Sequence, residues 1–388
     1  FLNHSVPAAN AFSSALEAGP VWQAELHGFD WLRDMRAVGT EVARVQARTC
    51  VSEWIDGNSK WRLLSWRPDI LSSRLCNWLT HAEFISAGAD ENFAAMFLEN
   101  TARQVKHLRR AARFLPNDLE RMLSAKALIY ASLCLPGGIK YVPGLLKSIA
   151  KMCDRQILQD GGHIERSPKA QLIALRHLID IRSVLLASNV EVPEALQRAI
   201  DRAAPMLRFY RHGDGGLALF NGSNEGEAWL IDVVLTKAES RGKPLTSAPH
   251  SGFERFTANR TLIIADCGIP SAVGKGAHAG TLSFEMSVGK QRIVVNCGAY
   301  SGRDETWRLA QRATAAHSTM TVDDRNSTEI NADGSIGDRP ANVTSERLEA
   351  DGNTWLDFSH DGYFLPLGLV HRRRIYVNAS GTDVRGED

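Results

Sequence analysis

A change of hydrophobic period near residue 245 constrains this chain more than any other feature. From about residue 20 to 240, apolar residues recur at three- and four-residue spacing between short Gly, Pro or Asp breaks, the pattern of helices that each bury one stripe. Beyond Arg241-Gly242-Lys243-Pro244 and His250-Ser251-Gly252 the apolar runs shorten and alternate with period two. Helices followed by antiparallel strands predict a multidomain α+β protein, with a helical domain over 1–245 and an antiparallel β-sandwich domain over 246–388. Helices are expected over Trp22 to Ala47, Phe84 to Phe114, Asp118 to Leu135, Val142 to Leu158, Lys169 to Ala187, Pro193 to Tyr210 and Glu225 to Ala238. Short connections such as Leu115-Pro116-Asn117 make neighbours antiparallel, so the repeated hairpins predict an (α/α) toroid, whole or incomplete. Strands are expected over Arg260 to Ala265, Leu282 to Val288, Arg292 to Asn296, Ser318 to Val322, Ala341 to Leu348, Thr354 to Phe358 and Arg372 to Val377. These candidates lack a closing segment, which predicts a sandwich cut from a longer protein.

Charge and composition exclude several classes. Lys plus Arg number 45 against 44 Asp plus Glu, so no overall field draws the chain to nucleic acid, and recognition of a charged ligand has to be local. The uncharged stretch between Lys126 and Lys140 is short and broken by Pro136, Gly137 and Gly138, so no transmembrane segment is expected. Phe1 is followed by no signal peptide pattern. Six scattered cysteines form no CxxC pair, and there is no HExxH, phosphate-binding loop or GxSxG elbow.

Three stretches pack polar residues among glycines. Asp160-Gly161-Gly162-His163-Ile164-Glu165-Arg166-Ser167-Pro168 runs into a helix start, where Ser167 is a candidate cap with Pro168 in the first turn, and His163, Glu165 and Arg166 are expected to face a cleft. His212 to Gly216 and Phe220 to Glu225 form a glycine-rich connection with a candidate Asn cap. In the β-rich part, His278 precedes one strand, Asn296-Cys297-Gly298-Ala299-Tyr300 ends its return strand, and Arg312 to Thr319 contains His317. Two histidines flanking a hairpin can converge within reach of a metal.

Together these stretches resemble the heparinase II/III-like polysaccharide lyases. His278-Ala279-Gly280-Thr281-Leu282-Ser283-Phe284 looks like the family's HADxxSF strand, and Val295-Asn296-Cys297-Gly298 looks like its VDxG strand. Arg312 to Thr319 is similar to RxTxxHNT, and Asp160 to Pro168 to the DGxxxExSPxYH loop. The resemblance implies β-elimination on a uronate-containing acidic polysaccharide. Such chemistry needs a neutralised carboxylate, a base for the C5 proton and an acid for the departing oxygen.

On that reading the catalytic candidates are His163, Glu165, Arg166, Tyr300 and His317, with Arg166 neutralising the carboxylate and Tyr300 or His317 moving protons. Asn117, Asn221, Glu225 and Arg312 are expected to bind substrate, and His163→Ala or His317→Ala, at an open groove, is expected to abolish turnover with little loss of stability. No cofactor is required on this reading, and His278, Asn296 and His317 are the candidate ligands should a structural zinc be present. The pattern also places a Tyr at 170, a His at 171 and a His at 276, where this chain has Ala170, Gln171 and Gly276. Two alternatives therefore stand beside the lyase: a non-catalytic glycan-binding or assembly protein with a degenerate lyase site, and an inverting glycoside hydrolase using Glu165 with Asp214 or Glu225. The expected location is the periplasm or cell envelope.

Overall fold

A computed structural model gives the architecture and describes residues 12, 19–116, 118–302 and 304–388. Helices fill the chain from Pro20 to Ala238, and two antiparallel sheets follow. The chain divides into two compact units, residues 1–151 with 180–191 and residues 152–179 with 192–388.

In the first unit, the expected helix over Trp22 to Ala47 is instead three: Pro20–Gly28, Leu32–Val38 and Glu41–Asn58. Phe29 and Gly39 end the first two in left-handed conformations, and the Thr40 side chain accepts from the Ala43 amide to start the third. The continuous stripe hides these breaks because burial continues across them: Phe29 and Leu32, on either side of the first break, share one core with Ala47, Val51 and Trp54 of the third helix and with Trp78 and Phe97. Phe84 to Phe114 likewise divides into Ala82–Ser86, the Asp90-capped helix Glu91–Ala111 and a closing 3-10 turn. A second core gathers Leu71, Leu75, Val105, Leu108, Leu128 and Ala131.

In the second unit, strands β1 (Ser247–Ala248), β2 (Phe253–Ala258), β3 (Thr261–Asp266), β4 (Phe284–Val288) and β5 (Gln291–Val294) form one sheet in sequence order. β6 (Val343–Ala350), β7 (Asn353–His360), β8 (His371–Val377) and β9 (Val384–Glu387) form the other. Phe256, Ile263 and Ala265 pack against Leu356, Phe358, Ile375 and Val377 between the sheets, which makes a sandwich. The period-two reading misses β2 because Glu254 sits buried in it, held by Ser247 and Arg347. It also misses β9 and the short β1. The expected strand Ser318 to Val322 does not form: Ser318 bonds Phe284 and Asn296 and Thr319 bonds the Thr281 carbonyl, leaving one isolated bridge at Val322.

Candidate functional site

The loop before helix Pro168–Ala187 belongs to the second compact unit, as do both sheets. Its turn is glycine-dependent: Gly161 has φ 89°, and a Cβ there would lie 2.0 Å from the Arg202 carbonyl oxygen. Asp160 ties the loop down by accepting from the Gly162 amide at 3.0 Å and from the Ser251 amide and hydroxyl at 2.6 and 2.7 Å. Ser167 caps the helix through the Ala170 amide, as its sequence predicts, and bonds the Ser223 hydroxyl at 2.9 Å. The Asn cap expected near 221–225 is absent from the helix Ala228–Ala238, whose start at Glu227 has no side-chain cap.

Arg166 does not point at a cleft. It is buried with φ 54°, and its guanidinium donates to the carbonyls of Ser251 at 2.6 Å, Ile269 at 2.7 Å and Gly252 at 3.1 Å, and to the Asp266 carboxylate. Asp266 also accepts from Asn221, which donates to the Arg166 carbonyl and accepts from the His278 amide at 3.1 Å. Arg166 and Asn221 are therefore struts joining the loop to the sheet, with four of the five guanidinium N–H groups and both Asn221 amide hydrogens bonded inside the protein. His163, 1% exposed, is equally internal. Its Nδ1 accepts from the Glu165 amide and its Nε2 meets Gln156 at 3.2 Å, while burial pushes its pKa down to about 3. Gln171, at the family's His position, accepts from the His163 amide and donates to the Gly161 and Ala203 carbonyls.

His278 and His317, 3% and 8% exposed, meet Nδ1 to Nε2 at 3.1 Å. The Gly222 amide donates to His278 Nε2 at 3.1 Å, so that nitrogen is unprotonated and Nδ1 carries the hydrogen. His278 then donates to His317 Nε2, and His317 Nδ1 donates to the Ala313 carbonyl at 2.8 Å. Every ring nitrogen is used and both rings are neutral. Burial holds both below the usual histidine range, most strongly His278. The Asn296 side-chain oxygen accepts from the Ser318 amide at 3.0 Å, next to His317, and its buried amide nitrogen has no hydrogen-bond partner among the described residues. A zinc on His278 Nδ1 would require a proton on Nε2, where the Gly222 N–H points, so the residues present do not fit the metal. Among the described residues no three His, Cys, Asp or Glu side chains group at metal distance.

The remaining candidates are dispersed. Arg312 is buried and spends Nε and one terminal nitrogen on the Ala277 carbonyl. Glu225 is exposed, and Asn117 lies outside the described residues. Glu165 is half-buried over Gly274, and Tyr300 is half-exposed with its hydroxyl against Gly302. Asp214 pairs with Arg292; although burial pushes its carboxyl up, Arg292 and the Gly216 amide hold it below the usual range, the wrong direction for a general acid. Asp266, Ser251, Gln156, Ser223 and the buried His212–Glu285 pair organise this region without having been singled out in the sequence for that part. The one sequence signal for Asp266 is that glycines 252 and 268 leave room for the guanidinium it binds.

Residues 240–388 match a family described as heparinase II/III-like, C-terminal. Over 381 residues the chain is 33% identical to FtsZ-localized protein C of Caulobacter vibrioides (strain NA1000 / CB15N), covering 94% of this chain and 64% of that protein. Its fold is similar to the crystal structure of heparinase III, with a TM-score of 0.75 and 16% identity over 98% of this chain and 63% of that one. It is also similar to heparan sulfate lyase HepC from Pedobacter heparinus, with a TM-score of 0.62 and 19% identity over 93% and 61%. The chain thus spans less than two thirds of the length of these relatives.

Proposed function

The chain belongs to the heparinase II/III-like superfamily, and we propose that within it this protein is a non-catalytic member whose lyase fold serves binding and assembly. One observation carries the reading: the histidines and arginine expected to act on substrate are spent on one another and on the backbone, from Gly222 through His278 and His317 to Ala313 and from Arg166 to Asp266. Ala170 and Gly276, where the family pattern has proton-transfer residues, support the same reading. The name of the relative FtsZ-localized protein C adds an association with the division protein FtsZ as the proposed setting, at the cell envelope. No described helix is long and apolar enough to cross a membrane.

The second reading is β-elimination on a uronate-containing acidic polysaccharide. It is favoured by Tyr300, a half-buried residue whose hydroxyl could serve as a proton carrier. Incubating the full-length protein with a panel of uronate polysaccharides, and following ultraviolet absorbance with reducing ends, separates the two. We expect neither signal; an absorbing unsaturated product abolished by Tyr300→Phe would establish the lyase instead.

A further inference from the structure

The outward face of the second sheet carries a pattern that the buried site does not use. Strand register sets side chains in rows across all four strands: Leu348 opposite Trp355, Trp355 opposite Tyr376, and Tyr376 opposite Arg385. Alternate residues of a strand share a face, so the next row on this side is Glu346, Asp357, Arg374 and Glu387. The intervening Leu356, Phe358, Ile375 and Val377 lie in the sandwich core, so both rows face outward. Leu348 is 64% and Trp355 38% exposed. The Trp355 and Tyr376 rings are 5.2 Å apart and inclined at 50°, with the Arg385 guanidinium 5.8 Å from the Tyr376 ring. The adjoining row is held by ion pairs. Arg374 donates to Asp357 at 3.1 Å and to Glu387 at 2.9 Å, and Arg372 donates to Asp357 at 2.8 Å.

We propose that this face is a docking platform for an uncharged pyranose chain lying across the four strands. The apolar C–H faces of sugar rings would sit on Leu348, Trp355 and Tyr376, and their hydroxyls would bond the guanidinium and carboxylate edges of the neighbouring row. Strands about 4.8 Å apart place successive row positions roughly one sugar ring apart. Charge selects the occupant: Arg372, Arg374 and Arg385 are matched by Glu346, Asp357 and Glu387, so a polyanion finds no excess cation. A dry protein interface would have to strip water from this ladder of charges, a desolvation cost that is why charged residues are depleted from interface cores. Sugar hydroxyls replace that water one hydrogen bond at a time. The ion pairs also fix the side chains beforehand, which lowers the ordering cost of binding. The platform lies in one sheet and stands whether or not the histidine region turns over substrate.

The test is calorimetric titration of the full-length protein with cellohexaose, chitohexaose and a heparan sulfate hexasaccharide. We expect a neutral hexasaccharide to bind, with affinity falling about tenfold or more in both Trp355→Ala and Tyr376→Ala. Trp355→Phe should retain most of it, and Trp229→Ala, which removes an exposed tryptophan elsewhere, should change nothing. Unaltered thermal midpoints would show that the variants fold, and Leu348→Ser gives an independent variant of the same row. Absence of binding to both neutral sugars, binding unchanged in the Trp355 and Tyr376 variants, or preference for the sulfated sugar would each overturn the proposal. So would Trp355-dependent self-association without sugar binding, which would mark the face as an interface between copies of this chain.

Discussion

A side chain at position 276 has space to begin: a Cβ built there meets the Asn221 carbonyl oxygen at 3.5 Å, an ordinary contact. Gly276→His should therefore fold with a stability change within about 1 kcal/mol, read by denaturant titration, and on the non-catalytic reading it should produce no lyase signal. Arg166 behaves oppositely. Removing it in Arg166→Ala leaves the Asp266 charge buried and takes the guanidinium donors from the carbonyls of Ser251 and Ile269, while Gly252 keeps the Cys267 amide. The expected cost is about 3–5 kcal/mol. Arg166→Lys should rescue little of it, since one ammonium cannot reproduce a planar fork spread over four acceptors. A surface arginine would give almost no loss in the same titration. The open groove expected at His163 and His317 is not what the fold provides, because both rings are buried and all four ring nitrogens have partners.

At the scale of elements, the contact between the 220–223 turn and the 276–278 segment depends on Gly222, which meets the backbone of residue 276. Gly222 has φ 73°, and its Cβ would lie 2.9 Å from the Gly276 carbonyl oxygen. Gly222→Ala should cost about 1–2 kcal/mol from the left-handed backbone alone. It should also loosen the hydrogen bond to His278, read as faster hydrogen exchange at the amide of residue 222; unchanged exchange would mean that the turn does not hold the ring. Here the sequence was only partly legible. Helix starts at Asp118 and Ser167 could be read because caps are local chemistry, as could most strands of the sandwich. The three-way break of residues 20–58 could not, since the stripe continues across it.

Across the whole molecule, buried neutral histidines set the response to acid. Burial lowers the pKa of His163 to about 3 and of His27 and His360 to about 4, and it lowers those of His278, His317 and His371 as well. In the unfolded chain these rings protonate near pH 6.5. Between there and the lowered folded values the unfolded state holds more protons, so stability falls as the pH drops. Each ring contributes a slope of up to about 1.4 kcal/mol per pH unit. Scanning calorimetry from pH 8 to 4 should show a plateau above about pH 7 and a decline beginning before carboxylates titrate. A transition temperature flat down to pH 5 would mean that the rings take up protons without leaving their partners. Metal analysis of the protein and of Asn296→Asp should find zinc well below one per chain in both; full occupancy in either would displace the histidine relay derived from the Gly222 amide.

By itself the sequence determined the order of helices before strands, the sandwich and the superfamily, because periodicity, caps and short motifs are properties of neighbouring residues. It also located the stretches that meet around His278, through their glycines and polar residues. Only the tertiary structure decided which way those polar groups turn. Whether Arg166 clamps a substrate or braces the protein depends on carbonyls at 251, 252 and 269 coming within hydrogen-bond reach. Whether His278 can hold a metal depends on one amide at 222. A buried donor bonds whatever acceptor the fold brings to it, and that acceptor lies far along the chain, beyond the range over which residue patterning carries information.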